Sequence, residues 1–501
     1  MNGLAKAIMV QGTMSNSGKS FLTAGLCRVF MQDGYKTAPF KAQNMALNSY
    51  ITKEGLEIGR AQAMQAEACK VDPVADMNPI LLKPVSHVGS QVIVNGEVRG
   101  NMKATEYYQY KKELVPEVQA AYERLNKAYD IIVIEGAGSP AEINLGEDGF
   151  VNMGMAKMAG APVLLVGDID RGGVFAALYG TVKLLKEEEQ KRIKGLVINK
   201  FRGDIKILEP GLGMIEDRVG IPVVGVVPME RLDIDDEDSL SDRLGQVHKG
   251  EGVDVAVIRL PHISNFTDFS AFSRMEGVSL RYVEEPGMLD DPDVILLPGT
   301  KNTMDDLTWM RESGMEALLL KQAEKKTPII GICGGFQMLG RSLHDPYHVE
   351  HGGSMRGMGL LDTKTVFTEA KTRTQIHGVV EQGAGLFSDW KGKEVSGYEI
   401  HMGVSENLGG CKALIRLSDG RTDALSNEDG SVMGSYLHGL FDTAGFAEAM
   451  MRRRMRELGM NDKDWKFDLN AHKEREYDKL ADLVRRSLDM KKIYEILEAG
   501  I

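Results

Sequence analysis

Two sets of residues, about three hundred positions apart, have types and spacing suited to chemistry. The first is Gly12-Thr13-Met14-Ser15-Asn16-Ser17-Gly18-Lys19-Ser20. A loop of small residues ending in Gly-Lys-Ser, set between a strand and a helix, turns several backbone N–H groups toward a phosphate. Lys19 then reaches the β- and γ-phosphates of ATP, and the Ser20 hydroxyl can ligate Mg2+. Thr13 stands where the usual spacing has glycine, with Gly12 just before it. The second set is Gly331-Ile332-Cys333-Gly334-Gly335-Phe336-Gln337, with Tyr436-Leu437-His438-Gly439 downstream. A cysteine on a sharp strand-to-helix turn is an exposed nucleophile, and the helix N-terminus favours its thiolate. The N–H of Gly334 can stabilise an oxyanion, with Gly299 of Pro298-Gly299-Thr300 as a second donor. His438 can serve as general base and acid. One end would activate a substrate with a phosphoryl group. The other would release ammonia from glutamine to attack it.

Other polar residues fall near these two sets. Glu135 closes an apolar run and opens Glu135-Gly136-Ala137-Gly138, a good position for a second Mg2+ ligand. Asp168 and Asp170 follow the next apolar run and are candidates to touch metal or substrate. Asn199, followed by Lys200, is a candidate reader of an adenine edge. Cys27, Cys69 and Cys411 lack the glycine-rich context of Cys333 and read as small buried hydrophobes.

The elements that must position these residues follow from hydrophobic patterning. Ala7-Ile8-Met9-Val10, Ile131-Ile132-Val133-Ile134, Val163-Leu164-Leu165-Val166, Gly195-Leu196-Val197-Ile198 and Val223-Val224-Gly225-Val226-Val227 are continuous apolar runs. Such runs suit strands of a parallel sheet buried on both faces, with helices between them. That predicts an α/β, doubly wound domain over residues 1–231. An insertion near Gln91–Gly96 carries Asn95-Gly96, a hairpin signal. Acidic and glycine-rich residues 232–251 read as a linker. Apolar runs resume at Val253–Ile258, Val294–Leu297 and Pro328–Ile332, giving a second α/β domain over 252–445 with more β content from Met358 to Gly403. In the tail, 446–501, Tyr477, Leu480, Val484 and Leu488 fall at helical spacing. We expect that tail to pack on the second domain.

Composition bounds the rest. A chain of 501 residues is too long for one core, so several domains are expected. A net charge of -12 argues against a general nucleic-acid binder. No apolar run approaches the roughly 20 residues that span a bilayer, and the start carries no signal-peptide pattern. Four scattered cysteines make no disulfide framework and no zinc spacing, which fits a reducing cytoplasm. Nothing here indicates an oligomeric state.

The Cys333–Gln337 segment resembles the nucleophile segment of class I glutamine amidotransferases. Their histidine segment usually carries glutamate two residues after the histidine. Here that residue is Leu440, a departure found in the cobyric/cobyrinic acid amidotransferase branch, and the third catalytic residue stays unassigned. The phosphate loop lacks the second lysine of filament- and partition-type ATPases. It looks like that of dethiobiotin synthetase and its relatives. Long segments narrow the match: Pro39–Ser49, Asn199–Asp204, Leu260–Phe269, Leu297–Thr303 and Ser396–Gly403 resemble the cobyric acid synthase family along essentially the whole chain.

The resemblance implies a dethiobiotin synthetase-like P-loop domain joined to a glutamine amidotransferase-like domain. It implies ATP- and glutamine-dependent amidation of the b, d, e and g carboxylates of adenosylcobyrinic acid a,c-diamide. ATP would make each carboxylate an acyl phosphate, and Cys333 would free ammonia from glutamine. Ammonia must arrive before water protonates it, which favours a channel between the domains. Lys41, Asn44, Asp170 and Tyr398 become candidate substrate contacts. The alternatives are a cobyrinic acid a,c-diamide synthase and a regulatory P-loop ATPase with a degenerate thiol domain.

Overall fold

The computed structural model describes residues 4–86, 89–145, 149–234, 251–461 and 468–501. Most of the expected linker, 235–250, lies outside the described residues. The chain forms two compact units. One comprises Met1–Ala46, Leu56–Asp235 and Lys473–Ile501; the other comprises Leu47–Gly55 and Asp236–His472. Among the described residues no helix is long and apolar enough to cross a membrane.

The first unit is built on a six-stranded parallel sheet. Its order is Val223–Pro228, Ile193–Phe201, Val163–Asp168, Lys6–Gly12, Ile131–Glu135 and Thr37–Phe40. Every residue of Ile131–Glu135 and of Val163–Asp168 is buried, as runs without polar alternation require. The register brings four candidate residues to one edge. Val10 lies opposite Glu135, Gly12 opposite Val166, and Asp168 opposite Asn199. That edge is the carboxyl end of a parallel sheet, where open α/β folds bind ligands. The inserted hairpin forms as expected: Gly89–Val94 pairs with Glu97–Lys103 across Asn95 and Gly96, whose φ values of 50° and 80° suit a two-residue turn.

Two expectations about boundaries are corrected. The tail does not pack as one piece on the second domain. The helix Phe446–Glu457 does, with Phe446, Met450 and Met455 in that core. From Lys473 onward the chain belongs to the first unit. There Tyr477, Leu480, Val484, Leu488 and Ile493 share a core with Ile8, Val10, Leu22 and Leu26. The buried guanidinium of Arg28 anchors Glu474 at 2.7 Å and Asp478 at 2.8 Å. The helical stripe was legible, but its partner was not: the outer face of the helix Lys19–Gln32 needed cover, and this stripe supplies it. The second correction concerns Leu47–Gly55, which lies within the expected 1–231 domain yet belongs to the second unit.

The second unit holds an eleven-stranded mixed sheet. Its parallel part runs Val278–Val283, Val253–Ile258, Val294–Leu297, Ile329–Ile332 and Val432–Ser435. An antiparallel part follows through Thr422–Ser426, Lys412–Leu417 and Thr363–Val380, which also pairs along Glu394–Asn407. The β-rich stretch foreseen from Met358 thus continues to Ser435. Ile329–Ile332 delivers Cys333 at its carboxyl end, between its neighbours Val294–Leu297 and Val432–Ser435.

Candidate active site

The phosphate loop leaves Lys6–Gly12 and enters the helix Lys19–Gln32. A Cβ on Gly12 would sit 2.1 Å from Ser17 Oγ, so the close approach that glycine permits occurs one residue before the usual place. Thr13 keeps its backbone N–H on Val166 O at 2.9 Å. The hydroxyls of Thr13 and Ser17 are buried with no hydrogen-bond partner, as expected of a loop shaped for phosphate oxygens. Lys19 Nζ donates to the carbonyls of Met14 (2.9 Å) and Gly138 (3.2 Å). Ser20 Oγ donates to Glu135 Oε1 at 2.9 Å, and Lys41 Nζ bonds the same oxygen at 2.9 Å. Gln65 Nε2 donates to Glu135 Oε2 at 2.6 Å. A hydroxyl and a carboxylate in contact are hard oxygen donors of the kind Mg2+ takes, and Mg2+ usually completes its shell with phosphate oxygens and water. Asn199 Nδ2 donates to Ser17 O at 2.9 Å, bracing the loop from the next strand but one. Lys200 Nζ bonds Asp168 Oδ2 at 2.9 Å.

At the thiol site, Cys333 has φ 52° and ψ -108°, a strained turn for a residue with a Cβ. The surrounding structure holds it there: Cys333 N donates to Ser435 O at 2.8 Å, and Gln337 N donates to Cys333 O at 3.0 Å. The strain presents Sγ at the end of the strand. A Cβ on Gly334 would lie 2.6 Å from Thr300 Cγ2, so the two expected oxyanion donors belong to touching segments. Gly299 in turn approaches the imidazole: a Cβ there would be 3.3 Å from His438 Cε1.

His438 is buried, and its Nδ1 lies 2.7 Å from Asp268 Oδ2. The other carboxylate oxygen accepts Gly439 N at 3.1 Å. Burial alone disfavours the imidazolium. The charge and hydrogen bond of Asp268, with the neighbouring Cys333, outweigh burial and raise the His438 pKa to about 10. The ring nitrogen left for the thiol, Nε2, is buried and makes no bond of ordinary length. A second histidine, His401, differs. Its Nδ1 lies 2.6 Å from Gly403 O and its ring stacks on Tyr436 at 3.8 Å. Burial, with the charge of His438, pushes its pKa down to about 4. The two neighbouring histidines are thus pushed in opposite directions, and the one pushed up carries the carboxylate partner.

Residues 8–239 match the model of the CobQ/CobB/MinD/ParA nucleotide binding domain, and residues 254–446 match that of the CobB/CobQ-like glutamine amidotransferase domain. The cobyric acid synthase of Lachnoclostridium phytofermentans is 56% identical, covering 99% of this chain and 100% of that protein. That of Ruminiclostridium cellulolyticum is 55% identical, covering 99% and 98%. The chain belongs to the cobyric acid synthase family. It is therefore an amidating ligase that joins a nucleotide-binding domain to a glutamine amidotransferase domain. The structure of PurLQS from Thermotoga maritima aligns over 41% of this chain and 99% of its own, at 21% identity and a TM-score of 0.33.

Within this cobyric acid synthase architecture the expected residues separate cleanly. Gly12, Thr13, Ser17, Gly18, Lys19, Ser20, Lys41, Glu135 and Asn199 lie together around the phosphate loop. Gly299, Gly334, Cys333, His438 and Tyr398 lie together around the thiol, Tyr398 stacking on His438 at 5.3 Å. Asn44 donates to Gln62 at 3.1 Å, and Asp170 pairs with Arg202 at 3.1 Å on the surface. Cys27 and Cys69 are buried as expected, whereas Cys411 is half-buried and its Sγ accepts Asp362 N. Sequence reasoning missed Asp268, Asn265 and Gln65. Asp268 had one signal, an acid among the aromatics of Phe266-Thr267-Asp268-Phe269, but no spacing connects it to a histidine 170 residues away.

Proposed function

We propose that this chain amidates the b, d, e and g carboxylates of adenosylcobyrinic acid a,c-diamide, using ATP and glutamine, as the last set of amidations that yields cobyric acid. The substrate reading is supported by 56% identity to a cobyric acid synthase over 99% of this chain, and the glutamine half by the 2.7 Å contact between Asp268 and His438. That contact supplies the carboxylate that Leu440 cannot, which supports reading Cys333 and His438 as a working pair.

A carboxylate is a poor electrophile. In the proposed reaction a substrate carboxylate oxygen attacks the γ-phosphorus of ATP, ADP leaves, and an acyl phosphate remains. Lys19 neutralises the charge that grows on the transferred group, and the loop N–H groups hold the phosphates in line. Ser20 and Glu135 would hold Mg2+, which neutralises phosphate charge when bound. Lys41, seated on Glu135, is placed to balance the same negative charge.

At the thiol centre Cys333 Sγ attacks the glutamine side-chain carbonyl. The N–H groups of Gly299 and Gly334 stabilise the oxyanion, and His438 gives its proton to the departing ammonia. Water then cleaves the thioester with His438 as base, freeing glutamate. Ammonia displaces phosphate from the acyl phosphate and leaves an amide. Four free cysteines and a thiol nucleophile fit a reducing compartment, which supports a cytoplasmic enzyme.

The test is to incubate the protein with ATP, glutamine, Mg2+ and the a,c-diamide and weigh the corrinoid. The expected product has four carboxyl OH groups replaced by NH2. An unchanged a,c-diamide, with cobyrinic acid itself amidated at a and c, would overturn the reading.

A further inference from the structure

The thiol centre contains a segment that belongs, by its place in the chain, to the other half of the sequence. Leu47–Gly55 is bracketed by residues of the nucleotide-binding unit but is part of the amidotransferase unit. Its polar groups are not spread over a surface. Asn265 N donates to Asn48 Oδ1 at 2.8 Å, and Ser49 N donates to Asn265 Oδ1 at 3.1 Å. Tyr398 Oη donates to Ser49 O at 3.2 Å. Asn48, Ser49, Asn265 and Tyr398 are all buried.

The two residues thus gripped are those that bound the His438 ring. Tyr398 stacks on it at 5.3 Å and 19°, and exchanges both backbone hydrogen bonds with it, at 3.0 and 2.9 Å. Asn265 Nδ2 comes to 3.5 Å from His438 Nδ1. That approach is a packing contact: Nδ1 keeps its proton and donates it to Asp268, and two donors cannot bond each other. It blocks the ring from swinging about the Asp268 hydrogen bond. Asn265 itself sits at φ 52°, a conformation that asparagine adopts more readily than most residues and that the two-way bond to residues 48 and 49 holds in place. Asn265 also begins the turn Phe266–Phe269 that carries Asp268.

We propose that Asn48 and Ser49 are positioning residues of the glutaminase centre, which hold Asn265 and Tyr398 against the His438 ring. The inference rests on the reading of Cys333 and His438 as a glutaminase, and not on the identity of the corrinoid. Transfer of a proton to the leaving ammonia depends steeply on ring placement, so the effect falls on turnover, not on glutamine binding.

The test uses the full chain and glutamine hydrolysis as its readout. Asn48→Ala removes the acceptor for Asn265 N. The expected result is a fall in kcat of about tenfold with KM for glutamine within about twofold of the parent. Tyr398→Phe, a milder change that removes the hydroxyl bond to Ser49, should lower kcat about threefold with KM again held. Ammonia-supported amidation and the unfolding midpoint report the fold separately. A parent-like kcat in Asn48→Ala, a rise in KM with kcat unchanged, or a parallel loss of ammonia-supported amidation would each overturn the proposal. If the parent protein hydrolyses glutamine but leaves the a,c-diamide unamidated, the substrate reading fails while this inference is still decided by kcat.

Discussion

The two reaction centres differ in how far apart in sequence their parts lie. The phosphate site is mostly one stretch, residues 12–20, with Glu135, Lys41, Gln65 and Asn199 added from neighbouring strands and helices. The thiol centre is gathered from residues 48–49, 265–268, 299, 333–334, 398 and 438. The reason is chemical. A phosphate is held largely by backbone N–H groups, which one loop and one helix start provide locally. Amide cleavage needs a nucleophile, a proton carrier, an anion to orient it and two N–H donors, all directed at one carbon. No single turn can present all of these. The local site is therefore robust to its surroundings, and the gathered one depends on every segment that feeds it.

Substitutions can break that comparison or sharpen it. The largest effect should come from Cys333→Ala, which should lower glutamine-dependent amidation on the order of 10^4-fold while sparing amidation with added ammonia. His438→Ala should match it, since the leaving ammonia then has no proton donor. Comparable loss with ammonium as the nitrogen source would show that the two centres are not separable. Lys19→Ala should cost about 10^3-fold with either nitrogen source, through lost phosphate charge neutralisation, while glutamine hydrolysis alone survives. Full amidation by this variant at saturating ATP would remove Lys19 from the assignment.

Asp268→Asn should lower glutamine hydrolysis about 10^2-fold, because an amide still orients the ring but no longer stabilises its charge. Its pH profile carries the sign. The folded pKa of His438 is raised to about 10, above its ordinary 6.5. In the folded protein the imidazolium is therefore lost only as pH rises through about 10, while its contribution to folding stability is full below 6.5 and fades as pH rises through the folded value. Where proton donation to the leaving ammonia limits the rate, glutamine hydrolysis by the parent should show an alkaline limb as that proton is lost. In Asp268→Asn burial is opposed by less, so the alkaline limb should move toward neutral pH. An unmoved limb would mean that another group sets the histidine's charge.

How much of this was legible follows the same division. The runs at 7–10, 131–134, 163–166, 195–198, 223–227, 253–258, 294–297 and 328–332 were readable as strands because continuous apolar runs suit little besides strands buried on two faces, whereas Thr37–Phe40 and Val278–Val283 were not. Residues 12–20, Glu135 and Cys333 stood out as candidates because each sits at the end of such a run, at the carboxyl edge of a sheet. Lys41 and Tyr398 were placed among substrate contacts through family resemblance. The structure seats one on Glu135 and stacks the other on His438. Asp268 was not readable as the partner of His438, since the conventional position holds Leu440, which is fully buried in the core. A carboxylate in the turn Phe266–Phe269 substitutes for it because that turn is packed beside Gly439.

The amino-acid sequence by itself determined the α/β class and the phosphate loop, and it singled out the candidate nucleophile and proton carrier. Each of these is encoded in short-range order, by hydrophobic period, by glycine at close approaches and by residue type at a strand's end. Tertiary structure decided what completes them: Asp268 on His438, the grip of residues 48–49 on Asn265 and Tyr398, and the seating of the final helices on the core around Ile8 and Leu22. These are matches of shape and charge between segments separated by hundreds of residues. Such a match leaves no periodicity in the chain, because each partner looks, in its own neighbourhood, like an ordinary buried polar group or an ordinary amphipathic helix.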